Sequence, residues 1–298
     1  FSFNQPKFCP TAAWNPIGIT FANQTTIGEK PGAIFINTNN IIYVYYRENK
    51  QLLVYHEGHI NPTKIVPINS STPNSIFVTT NGDIYIDNDE VVLKWISNKN
   101  TFDTVMNGIS QCQGLFVDIN DTLYCSMAFR HQVVKRWIND SVMTPTIVAG
   151  ADRPGPAPNE LNLPFGIFVD VNFDLYVADC ENNRVQLFQL GQSFGITVAG
   201  AGSLNPTISL SCPRGIVLDA QKYLFIVDYG NSRIIGSGPN GFRCLVGCHG
   251  PGSQSHQLSS PMSLSFDRSG NMFVADEDND RIQKYLLKKP CGKLKIVE

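Results

Sequence analysis

Hydrophobic positions in this chain come in short bursts of five or six residues, separated by turn-forming residues, and the bursts recur. The clearest set is Pro164-Phe165-Gly166-Ile167-Phe168-Val169-Asp170, then Leu175-Tyr176-Val177-Ala178-Asp179, then Asn183-Arg184-Val185-Gln186-Leu187-Phe188. A second copy runs from Pro213 to Asp219, through Leu224-Phe225-Ile226-Val227-Asp228, to Arg233-Ile234-Ile235. A third runs from Pro261 to Asp267, through Met272-Phe273-Val274-Ala275-Asp276, to Arg281-Ile282-Gln283-Lys284-Tyr285. Weaker copies precede them, with central aromatics at Tyr43, Tyr85 and Tyr124. β-Branched and aromatic bursts with turn signals about every 8 to 12 residues predict strands rather than helices. A less regular fourth burst follows the third in the copies before the last, as in Thr146–Gly150 and Ile196–Gly200.

Six copies spaced about 40 to 50 residues apart match the blade length of a β-propeller. The expected fold is therefore all-β: one six-bladed propeller over 1–298, with blades near 31–71, 72–110, 111–162, 163–211, 212–259 and 260–291. The last copy stops after its third strand. The segment 17–22 resembles a fourth strand and lies before the first copy, so it is expected to close the ring by joining the last blade. Cys9 precedes that segment and Cys291 follows its neighbour, which predicts a Cys9–Cys291 bridge. In the chain-entropy model so long a loop contributes about 5 kcal/mol at most.

These residues resemble the NHL-repeat propellers, whose signature is a Pro-x-Gly-Ile-x-x-Asp strand, a Leu-Tyr-Val-Ala-Asp strand and an Asn-x-Arg-Val-Gln-x-Phe strand. The resemblance is closest to secreted invertebrate members and strongest in blades four to six. Blades one to three depart from it: Tyr46, Asn88 and Met127 stand for the strand-ending Asp, and Gln51 and Gln132 for the Arg. Blade two has a hairpin three residues shorter, and Ser237 replaces the closing aromatic of blade five. Where Asp and Arg flank one hairpin, as in Asp179 and Arg184, they read as a structural pair. The carboxylate can satisfy loop amides while the guanidinium serves carbonyls.

Eight cysteines without CxxC or zinc-finger spacing read as disulfides made in an oxidising compartment, the alternative being buried free thiols. The repeat register brings Cys112 to Cys125 and Cys180 to Cys212, and leaves Cys244 with Cys248. The chain is accordingly expected to be secreted and extracellular, starting after processing. The sequons at Asn23, Asn69, Asn120 and Asn139 then become N-glycan acceptors. A net charge of −2 offers no general attraction to nucleic acid. No apolar run approaches the roughly 18 residues of a membrane span.

The chemistry is sparse. His56 and His59 are three apart in β territory, unlike a helical zinc motif. His131 takes the loop position of Asn183, and His249 and His256 lie in a Gly/Ser-rich connection. Asp118, Asp170, Asp219 and Asp267 end inner strands, but at a repeating position that suggests a fold role. Six-bladed relatives implied by the resemblance include a peptide-amidating lyase with channel histidines, and calcium-dependent lactonases with channel Asp, Glu and Asn. No cofactor is expected. The reading is a binding or scaffold propeller for protein or glycan partners or copies of itself, the alternative being a metal-dependent enzyme of those kinds. Tyr45, Tyr46, Met127, Phe129 and Arg130 in the divergent blades are the candidate binding residues.

Overall fold

The computed structural model describes residues 3–47, 50–59, 61–68, 74–96, 99–204 and 208–288. It contains six four-stranded antiparallel sheets. The innermost strands are Pro31–Ile36, Ile76–Val78, Cys112–Val117, Pro164–Val169, Pro213–Leu218 and Pro261–Phe266, one per blade. Each packs against the innermost strand of both neighbouring blades, the last against the first, so the six enclose a central channel.

Burial follows from that stacking. A middle strand such as Leu175–Asp179 is buried along its whole length, because another blade covers each face. The outermost strand Ile196–Gly200 is exposed at Ile196 and buried only at its end. This explains why the central bursts are nearly continuous in apolar residues while the fourth bursts are irregular.

The ring closes as expected. Ile19–Asn23 pairs antiparallel with Arg281–Tyr285 as the fourth strand of blade six, with Ile19 opposite Lys284 and Asn23 opposite Arg281. Just before it, Asn15 N donates to Leu286 O and Lys288 N to Ala13 O, both at 2.8 Å, so the two ends of the chain run side by side. The sheet edges are thereby hidden at the joint. Cys291 lies outside the described residues, and with it the Cys9–Cys291 bridge. The other three disulfides are present: Cys112–Cys125, Cys180–Cys212 and Cys244–Cys248.

The Asp/Arg hairpins act as the residue types predict. Asp179 Oδ1 accepts from Asn162 N at 2.7 Å, and Oδ2 accepts from Asn182 Nδ2 and Arg184 Nε. Asp228 and Asp276 repeat the arrangement with Ser211 and Arg233, and with Ser259 and Arg281. Burial raises the pKa of Asp179 and Asp276 above the ordinary carboxylate value, with these hydrogen bonds opposing it. The next blade is tied on one step further along. In four blades the left-handed residue closing the hairpin loop accepts an amide of the following connection: His131 Nδ1 from Leu163 N, Asn183 Oδ1 from Cys212 N, Ser232 Oγ from Ser260 N, and Asp280 Oδ1 from Lys30 N. His131 therefore holds two blades together.

Candidate functional site

The central channel is blind at one end. Phe35, Phe77, Phe116 and Phe168 occupy one position on four successive inner strands, with neighbouring ring centroids 5.0 to 5.1 Å apart. Phe3 stands edge-on to all four, at 5.3 to 6.4 Å. Behind it the N-terminal segment crosses the same face. Asn4 Nδ2 donates to Asn37 O and Phe266 O, Gln5 Nε2 to Leu218 O, and Trp14 Nε1 to Gly270 O. Aromatic edge-to-face packing of this kind adds about 0.5–1.5 kcal/mol per pair beyond area burial. The repeat pattern marks only the closing strand and Cys9 in the N-terminal region. The plug was missed, although the Phe that recurs after Ile or Leu in four inner strands was a signal for it.

The opposite end is open, and its wall is set by β-bulges. In five blades the register slips just after the residue that opens the inner strand. A bulge re-aims a side chain. The residue that follows the opener in each of these blades (Gly32, Gln113, Phe165, Arg214 and Met262) lines the channel, and so does Ser75 in blade two. The next glycine has a packing reason. A Cβ on Gly166 would collide with the carbonyl oxygen of Arg214, and one on Gly114 would stand 2.6 Å from Phe165 O. In blades three and four the adjacent inner strands thus approach too closely for a side chain there, and the preceding residue forms the wall; blades one and six carry only the small Ala33 and Ser263 at that position. These mouth residues are the x of the Pro-x-Gly motif, and the sequence reading passed over them because x is the position that does not repeat.

The cavity measures about 130 Å³ and runs from this mouth to Phe3 and Asn4. Its middle is apolar, through residues such as Ile34, Ile76, Leu115, Ile167, Ile216 and Leu264. Among the described residues that line it, Arg214 is the one charged side chain. Arg214 lies with its guanidinium carbon 3.4 Å from the ring centroid of Tyr229 and 4.6 Å from that of Phe165. One of its Nη atoms touches Met262 Sδ. Arg47 packs against Gly32 at the same mouth and pairs with Glu277 at 2.8 Å. Burial lowers the pKa of Arg214, an effect that Tyr229 and Glu277 oppose and Arg47 reinforces. Burial likewise raises the pKa of Glu277 against the pull of both arginines.

The structure separates the residues singled out in the sequence. Tyr45 and Tyr46 are fully buried inside blade one, and Met127 is 6 % exposed with its sulfur accepting from Ser110 N. These three face the blade interior, because middle strands are covered on both sides, and they are not surface contacts. Phe129 is 66 % exposed and Arg130 is exposed beside Asp152, on the loops of the mouth face. Asn23, Asn120 and Asn139 are exposed; Asn69 lies outside the described residues. The inner-strand aspartates sit in turns away from the cavity wall. Asp118, Asp170 and Asp219 each accept two amides of their own turn through Oδ1, and Asp267 accepts from Asn271 N. Asp219 Oδ2 also accepts from Phe8 N, holding the plug segment. Blade two departs from the motif. Asn88 sits at the strand-ending position, but its neighbour Asp87 does the work, with Oδ1 accepting from Asn74 N and Ser75 N. Among the described residues, no three His, Cys, Asp or Glu side chains group as metal ligands, and no helix is long and apolar enough to cross a membrane.

No family model matches the chain. Protein SUPPRESSOR OF QUENCHING 1, chloroplastic, from Arabidopsis thaliana is 23 % identical over 201 residues, which is 58 % of this chain and 19 % of that protein. The chain thus matches only about a fifth of that relative's length. Among solved structures, a protein of unknown function from Bacteroides thetaiotaomicron has a TM-score of 0.70 at 13 % identity, over 93 % of this chain and 76 % of that one. An auxiliary nutrient binding protein from the same organism gives 0.68 at 14 %, over 89 % and 70 %. A streptogramin B lyase gives 0.65 at 15 %, over 91 % and 97 %. At these identities the likeness is one of fold, and the fold is that of a six-bladed β-propeller.

Proposed function

We propose that this chain is an extracellular, non-enzymatic binding propeller that takes its partner at the open mouth of the central channel. One observation carries the reading. A blind, mostly apolar cavity opens through a ring of unlike side chains on an otherwise repeating scaffold, the usual form of a ligand site. Its described wall offers no carboxylate or imidazole to move a proton, which favours binding over a metal-dependent lyase or lactonase. The turn-bound aspartates are committed to backbone amides, which also speaks for a fold role. Three disulfides support an oxidising, extracellular setting, and exposed Asn23, Asn120 and Asn139 suit N-glycans there. Phe129 and Arg130 extend the mouth face as a surface for a protein or glycan partner, or for a second copy of the chain.

The test is native mass spectrometry of protein secreted from eukaryotic cells, with Ile216→Trp, which fills the cavity, as control. A bound small molecule retained by the wild type and lost in the variant supports the reading. Turnover of simple esters or lactones, with calcium or zinc added, overturns it. Light scattering on the same material decides self-assembly: a strict monomer removes that version.

A further inference from the structure

Buried polar groups are normally hydrogen-bonded, and those left without a partner at an open cavity mark what the cavity lacks. Three such atoms lie around the mouth: Arg214 Nε, Arg47 Nε and Asn74 Nδ2 are all buried and without a hydrogen-bond partner among the described residues. All three are donors. Arg214 and Asn74 line the cavity, and Arg47 Nε lies 3.0 Å from where a Cβ on Gly32 would stand, over the same wall.

The charge at the mouth is also unbalanced. No carboxylate among the described residues pairs with Arg214, while Glu277 pairs with Arg47. The two guanidinium groups are close enough to act on one another, so two cations share one anion. Of the further charges felt by Glu277, Lys30 is another cation and Asp278 is exposed to solvent. Stacking between Phe165 and Tyr229 holds the Arg214 plane rigid, so its donors are presented at little entropic cost.

Below these donors the wall turns apolar and ends on five phenylalanine rings. A cavity of about 130 Å³ accommodates about ten waters at roughly 10–15 Å³ each, which suits a short aliphatic chain or one aromatic ring. An inorganic anion would satisfy the mouth and leave the rest of the channel without contacts.

We propose that the mouth is a carboxylate site, in which Arg214, helped by Arg47 and Asn74, takes the carboxylate of a small amphipathic acid whose apolar body fills the channel. This rests on the binding reading above and gives it a ligand chemistry. Such a group is offered by a free acid or by the last residue of a polypeptide.

Calorimetric titration with hexanoate and 3-phenylpropionate tests it, against hexanol, hexylamine and phosphate. Acetyl-Gly-Leu-Leu as acid and as amide separates the polypeptide source from the free acid. The acids should bind and the amine should not, with hexanol and phosphate each weaker by about tenfold or more, the worth of a charge-assisted pair or of the apolar body. Arg214→Gln should weaken hexanoate by about tenfold or more, and Arg47→Gln by less, with circular dichroism confirming that both remain folded. If Arg214→Gln does not fold, Arg47→Gln together with the hexanol comparison decides. Equal binding of hexanol and hexanoate, equal binding of phosphate, or hexanoate affinity unmoved by both substitutions overturns the carboxylate site. Should none of these probes bind while the secreted protein still carries an adduct lost in Ile216→Trp, the carboxylate site falls and the binding reading stands. Absence of both adduct and probe binding removes the two together.

Discussion

Arg184 Nε donates to Asp179 Oδ2 at 2.7 Å in a pocket where Asp179 is fully buried, and the same guanidinium reaches the carbonyls of Pro156, Ala157 and Glu160. One side chain thereby fixes a hairpin and the long connection leading into blade four. A buried pair of this kind is costly to break, because the surviving partner keeps a charge without its counterpart. Asp179→Ala should therefore destabilise by about 3–5 kcal/mol in urea unfolding. Arg184→Ala should cost a similar amount, and the double variant clearly less than the sum. Additive losses would mean that the two groups act independently.

Phe3 closes the channel through contacts with four blades at once, and its neighbour Asn4 bonds Phe266 O of the last inner strand, 262 residues away in sequence. Phe3→Ala should cost about 3–5 kcal/mol, in the range of a buried aromatic truncation. Because the plug also forms the floor of the cavity, the same substitution should weaken any ligand that reaches the rings. Phe3→Leu, which keeps most of the volume, should recover more than half of the stability. A Phe3→Ala protein as stable as wild type would show that the segment lies on the fold without supporting it.

What the sequence disclosed, and what it hid, divides along the repeat. Ring closure was legible because a strand lacking a partner at the end and a spare strand at the start imply one another. The Asp/Arg hairpins were legible because both partners lie five residues apart in one motif. The plug was not, since Phe3 belongs to no repeat and its partners are spread from Phe35 to Phe168. Nor was the mouth. Arg214 looks like an ordinary variable position until the bulge in Pro213–Leu218 turns it inward and Gly215 lets the next strand close behind it. Tyr45 and Tyr46 misled for the complementary reason: aromatics in a divergent blade resemble an interface, but they fill its core.

His131 links blade three to the connection before blade four through Leu163 N, from a left-handed backbone with φ of 54°. Asn183 performs the same task for Cys212 at 2.8 Å, and Asn tolerates that backbone better than most residues. His131→Asn should therefore leave stability within about 0.5 kcal/mol of wild type. His131→Val should cost about 2 kcal/mol or more, since it loses the acceptor and places a branched side chain at positive φ. Thermal denaturation of the two variants is sufficient, and a tolerated valine would disprove the inter-blade role.

Asp87 carries the sharpest pH prediction. It is fully buried, its Oδ1 accepts two amides, and its Oδ2 has no donor among the described residues, which is how an un-ionised acid can be housed. Burial pushes its pKa up to about 7 from the ordinary 3.8, with the amides of Ser75 and Asn74 opposing and Asp89 adding. A folded-state value above the unfolded one means that the folded chain binds the extra proton. The stabilisation is complete below pH 3.8 and is lost as pH rises through 7. Between pH 5.5 and 8 the wild type should lose about 2 kcal/mol relative to Asp87→Asn, which keeps the acceptor for both amides and cannot ionise. At pH 8 the variant should equal or exceed wild type in urea unfolding, whereas parallel stability curves across that range would place the Asp87 proton elsewhere.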